Sequence, residues 1–119
     1  GLNILLILFL AANVSRHRRR AKVSLGAGKD AGLEQAMRAH GNTVEYTPIA
    51  LIGLYLVSAL GFPVLMIHAL GGALTLGRFV YAYGLLSSPG PSIGRLVGTA
   101  LTWLTLLISG LLLIWAALT

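Results

Sequence analysis

From Tyr46 to Gly77 the chain carries no Asp, Glu, Lys or Arg, and from Leu96 to Leu118 it again carries none. Runs of that length are long enough, as helix, to cross the roughly 30 Å hydrocarbon layer of a bilayer. These runs are continuous rather than alternating in polarity, which predicts helices. Only 10% of the 119 residues are charged, and 56% are hydrophobic. A soluble domain carries about a quarter charged residues, so the balance points to an integral membrane protein.

The few charges are distributed unevenly. Net charge is +6, and Arg16, Arg18, Arg19, Arg20, Lys22 and Lys29 are six of the nine basic residues, all in one short connection. A nucleic-acid arm has this local composition, but apolar segments on both sides make a cytoplasmic membrane loop by the positive-inside rule. No nucleic-acid partner is expected. With no cysteine in the chain, thiolate metal sites and cysteine nucleophiles are ruled out. His17, His40 and His68 have no mutual ligand spacing, so no metal is expected.

Turn chemistry divides the chain into four helices of one domain, 1–119, at about 1–22, 33–60, 63–86 and 95–118. The connections are the Gly26, Gly28, Asp30 and Gly32 stretch, the Gly61-Phe62-Pro63 turn, and Ser87-Ser88-Pro89-Gly90-Pro91-Ser92. Residues 1–15 span roughly 22 Å as helix, short of the bilayer core, and Gly1 stands where an initiator Met is expected, so the first helix is read as lacking its beginning. Pro48 removes one backbone hydrogen bond inside helix two and predicts a kink there. The resulting architecture is an all-α, four-transmembrane-helix up-down bundle. Both basic-side loops, one-to-two and three-to-four, are cytoplasmic, and both termini lie on the opposite side.

Polar groups that enter the apolar runs carry the functional signal. Arg38, Asn42 and Glu45 stand at i, i+4 and i+7, on one helical face. Counting from the tight outer turn, Glu45 is 16 residues before Gly61 and Arg78 is 15 residues after Pro63, so both lie roughly 23 Å below it. Asn42 and Tyr81 match in the same way. The helix-one arginines and Arg95 at the start of helix four share that end of the bundle, which therefore forms a cationic cavity suited to an anion. A plain structural pair between Glu45 and Arg78 is the alternative.

These residues resemble the membrane-associated proteins in eicosanoid and glutathione metabolism, the MAPEG family, which includes microsomal glutathione transferases. The family's second-helix pattern Arg-Ala-x-x-Asn-x-x-Glu-Tyr is matched by Arg38, Ala39, Asn42, Glu45 and Tyr46, and its third-helix Arg-x-x-Tyr by Arg78 and Tyr81. Arg18 and Arg19 ahead of Val23-Ser24 match the Arg-Arg pair that ends helix one. The resemblance implies a homotrimer that binds glutathione near its cytosolic face, between subunits. It implies that Arg18, Arg38, Asn42, Glu45, Tyr46, Arg78 and Tyr81 hold glutathione as co-substrate, and that Arg95, Arg19 and Tyr81 are catalytic. Arg95 is the nearest match to the helix-four arginine that stabilises the thiolate in eicosanoid-making members. Leu85 stands where some members have tyrosine.

The expected activity is glutathione transfer to, or glutathione-dependent reduction of, a lipophilic small molecule arriving from the membrane lipid. Two other readings of the same residues are a small multidrug or cation carrier that uses Glu45, and a non-catalytic regulatory protein of the same family.

Overall fold

The computed structural model describes residues 1–119 as four helices: α1 (Leu2–Ala21), α2 (Ala31–Ala59), α3 (Val64–Ser87) and α4 (Ile93–Leu118). The molecule is elongated, 55 × 26 × 22 Å, as an up-down bundle of helices this long must be.

Each boundary has a local cause. The three arginines 18–20 in the last turn of α1 complement its carbonyl end. Lys22 then adopts the left-handed conformation (φ 53°) that closes the helix. Asp30 caps α2, its carboxylate accepting from the Leu33 N–H at 2.7 Å. Gly61, at φ 79°, makes the tight turn into α3 that a side chain would resist. Ser92 caps α4 by accepting from the Arg95 N–H at 3.3 Å. Pro48 lies inside α2 and does not end it.

The bundle is apolar on the outside and partly polar within. The buried face of α4 is Gly98, Thr102, Thr105 and Ser109, at i, i+4, i+7 and i+11. Its exposed face carries Leu104, Leu107, Leu111, Ile114 and Leu118. In water that arrangement would strand a large apolar surface; in lipid it is the favourable one. Both α3 and α4 are long and apolar enough to cross a membrane. By contrast α1 ends in its arginine cluster, and α2 opens with charged and polar turns before its apolar half.

Glycines set the α3–α4 spacing. A Cβ on Gly98 would stand 2.5 Å from the Gly77 carbonyl oxygen and 2.6 Å from Tyr81 Cβ, and one on Gly84 would stand 2.9 Å from Arg95 N. Among the third-helix glycines, Gly77 is such a packing position, whereas a Cβ on Gly72 would meet nothing within 4 Å. Hydroxyls in this interior bond mostly backward along their own helix, Thr43 to the Ala39 carbonyl and Thr102 to the Gly98 carbonyl. Thr105 also reaches across to the Leu70 carbonyl at 3.4 Å.

Candidate functional site

Eight buried residues of α2, Leu33, Ala36, Ala39, Thr43, Thr47, Ala50, Leu54 and Val57, trace its inward stripe. Asn42 and Tyr46 flank that stripe on one side. Asn42 therefore meets α3, where its Oδ1 accepts from the Arg78 guanidinium at 2.9 Å. Arg78 is 1% exposed. Its second terminal nitrogen donates to the Gly98 carbonyl at 3.3 Å, and its guanidinium carbon lies 5.0 Å from the Tyr81 ring centre and 5.6 Å from that of Tyr46. These partners are an amide, a carbonyl and two rings, and none is a carboxylate. Arg78 Nε, wholly buried, has no acceptor.

Glu45 does not pair with Arg78. Three residues beyond Asn42 it has rotated away from the inward stripe and is exposed. The depth count brought Arg78 to the correct level of the bundle, within one turn. Height along α2 does not determine which side of the helix faces α3, and that choice selects Asn42.

Next to this buried cation, toward the basic end, lies an open cleft of about 310 Å³. Arg38 and Arg95 line it together with Tyr81, Leu85, Glu34 and Gln35. Tyr81 thus belongs to both regions, its ring beside Arg78 and the residue lining the cleft. Arg95 is held in place by its own loop: one terminal nitrogen donates to the Gly90 carbonyl at 2.9 Å. Gln35 donates its amide N–H to the Leu85 carbonyl, joining the cleft's α2 and α3 walls. Sequence reasoning passed over Glu34 and Gln35. The signal was present, since they precede Arg38 by four and three residues and so share its side of the helix.

The two helix-one arginines separate. Arg18 is turned onto its own chain: it donates to the Gly26 carbonyl at 2.8 Å and the Ser24 carbonyl at 3.5 Å, and its other terminal nitrogen lies 3.4 Å from Met37 Sδ. It clasps the α1–α2 loop against α2. Arg19 is exposed at the end of α1.

A cleft with two guanidiniums, a phenol and one carboxylate, Glu34, backed by a buried guanidinium without a counter-charge, is cationic on balance and suits a small ligand with more than one anionic group. The family model described as "MAPEG family" matches residues 1–115. The chain belongs to the MAPEG family. Among curated proteins it is similar to "Inner membrane protein YecN" of Escherichia coli strain K12, with 33% identity over 114 residues, 96% of this chain and 86% of the relative. The same-named protein of Escherichia coli O6:H1 matches to the same extent. No solved structure matches significantly. Membership bears out the resemblance carried by the helix-two and helix-three motifs, and makes this chain a membrane protein of the MAPEG family. The outward leucines of α4 are then the surface such a protein presents to lipid.

Proposed function

We propose that the chain is one protomer of a four-span homotrimer that binds glutathione and uses its thiolate against lipophilic electrophiles. The observation that carries this reading is the convergence of Arg38, Arg95 and Tyr81 on one cleft beside the enclosed, uncompensated Arg78. Glutathione brings two carboxylates, which Arg38 and Arg95 would bind as charge-assisted pairs. Its ammonium needs an acid. Glu34 lines the cleft within the protomer, whereas Glu45 and Arg19, turned outward from it, would serve a cleft shared with a neighbouring subunit.

Positive potential from the guanidiniums favours thiolate over thiol, and the thiolate is the nucleophile. With an alkylating electrophile the sulfur forms the new C–S bond while the leaving group departs with its bonding pair. The thiol proton, lost on binding, passes to solvent. With a hydroperoxide the sulfur forms an S–O bond as the O–O bond breaks and the alcohol leaves; a second glutathione then yields the disulfide and water. Tyr81, a phenol beside Arg78, would donate a hydrogen bond to the sulfur. The outward position of Glu45 weighs against a carrier built on a central carboxylate.

The test is ultraviolet thiolate absorbance on adding glutathione to purified protein. Wild type should show a saturable rise, and Arg38→Ala and Arg95→Ala should each weaken it by at least tenfold in glutathione concentration, a change of about 1.4 kcal/mol. No rise in the wild type, or undiminished binding in both variants, overturns the reading.

A further inference from the structure

On the outside of the bundle α1 and α3 enclose an apolar groove of about 500 Å³, its α1 wall formed by Leu2, Leu5 and Phe9 and its α3 wall by Phe79, Ala82 and Leu86. The α1 wall does not stop at the groove. At 3.6 residues per turn, Arg16 and Arg20 project within about 20° of Phe9, so one face of the helix runs from leucines directly into two arginines. Both arginines are exposed.

The register between the helices gives the distances. Asn3 Nδ2 donates to Thr75 Oγ1 at 2.9 Å, and Leu6 and Leu10 pack against Ala82 and Leu85, so α1 and α3 run side by side in the same direction. Counting from the Asn3–Thr75 contact, Leu86 is level with Val14. The groove therefore ends about 3 Å short of the level of Arg16 and is about 18 Å long. One leaflet of a bilayer is roughly half of 30 Å deep. No acid occurs among residues 1–29; Asp30 is occupied in capping α2, and Glu34 lines the cleft.

We propose that the groove and these two arginines form a binding site for an anionic diacyl phospholipid. One acyl chain lies along Leu2, Leu5 and Phe9, and the phosphate sits between the Arg16 and Arg20 guanidiniums. A zwitterionic headgroup has the same phosphate but would bring its ammonium against the Arg16 and Arg20 guanidiniums, so the site selects lipids with net negative charge. This site is separate from the glutathione cleft and does not depend on it.

The experiment is native mass spectrometry of the full chain released from micelles containing equal amounts of phosphatidylglycerol and phosphatidylcholine with identical chains. Wild type should retain phosphatidylglycerol with a preference on the order of tenfold. Arg16→Gln/Arg20→Gln should bring the ratio close to one. The charge-matched control Lys22→Gln/Lys29→Gln should keep it. Neither inorganic phosphate nor dihexanoyl phosphatidylglycerol, which has the headgroup without long chains, should displace the bound lipid at equal concentration. Equal retention of both lipids by the wild type overturns the proposal. An equal loss in the control pair also overturns it, because diffuse charge then explains the preference, as does displacement by phosphate or by the short-chain lipid, because the groove then plays no part.

Discussion

Arg78 and Arg38 stand beside the same cleft and are treated in opposite ways by the fold. Arg78 is enclosed, with Asn42, the Gly98 carbonyl and two tyrosine rings around it. Arg38, on an outward-facing turn of α2, is exposed and lines the opening. The enclosed guanidinium joins three helices and sets the local potential, while the exposed one is available to a ligand. On the proposed function, two residues of one type divide the work of framework and recognition, and substitutions should separate the two roles.

The strongest break in the framework is predicted at Gly98. Any side chain there meets the backbone oxygen of Gly77, which cannot swing aside, so Gly98→Val should lower stability by roughly 3 kcal/mol or more and reduce folded yield, read by thermal unfolding in micelles. Asn42→Leu leaves the buried guanidinium without its amide acceptor and should cost about 2–3 kcal/mol by the same measurement. Arg38→Ala sharpens the contrast from the other side: thermal unfolding should be unmoved while glutathione-induced thiolate absorbance needs at least tenfold more glutathione. If Arg38→Ala instead destabilises as much as Asn42→Leu, the division of roles is wrong. Ser109→Ala should have the smallest effect, close to zero or slightly stabilising, because its buried hydroxyl has no partner to lose.

Much of this was written in the residue spacing. Long uncharged runs and punctuating Gly and Pro residues yield the helices, and the polar positions of α2 and α3 bring the right segments of the two helices together. Azimuth was harder to read. Asn42 and Glu45 share one face of α2, and only the buried stripe through Ala39 and Thr43 reveals that Asn42 turns toward α3 while Glu45 turns away. The role of Arg18 depends on a left-handed Lys22 and on the path of the loop, neither of which has a side-chain periodicity. The α4 interior was the clearest omission: Gly98, Thr102, Thr105 and Ser109 recur at helical spacing, but a run dominated by Leu hides them. In membrane helices small polar residues mark the packed side, the reverse of the soluble pattern.

The Gly98 carbonyl accepts from both Arg78 and Thr102, and its missing side chain lets α3 close onto α4. It acts as a datum from which the rest of the cleft is measured. Arg95 lies three residues earlier on the same helix, so its angular offset from that datum is built into the helix pitch. Inserting or deleting one residue between Arg95 and Gly98 would turn Arg95 by about 100° relative to Arg78 and Tyr81, out of the cleft. Length changes before Ser92 would leave that angle intact. The protein can therefore absorb drift in its loop but not in the turn of α4 from Arg95 to Gly98, where two intervening positions, Leu96 and Val97, tie the half-buried Arg95 to the enclosed Arg78.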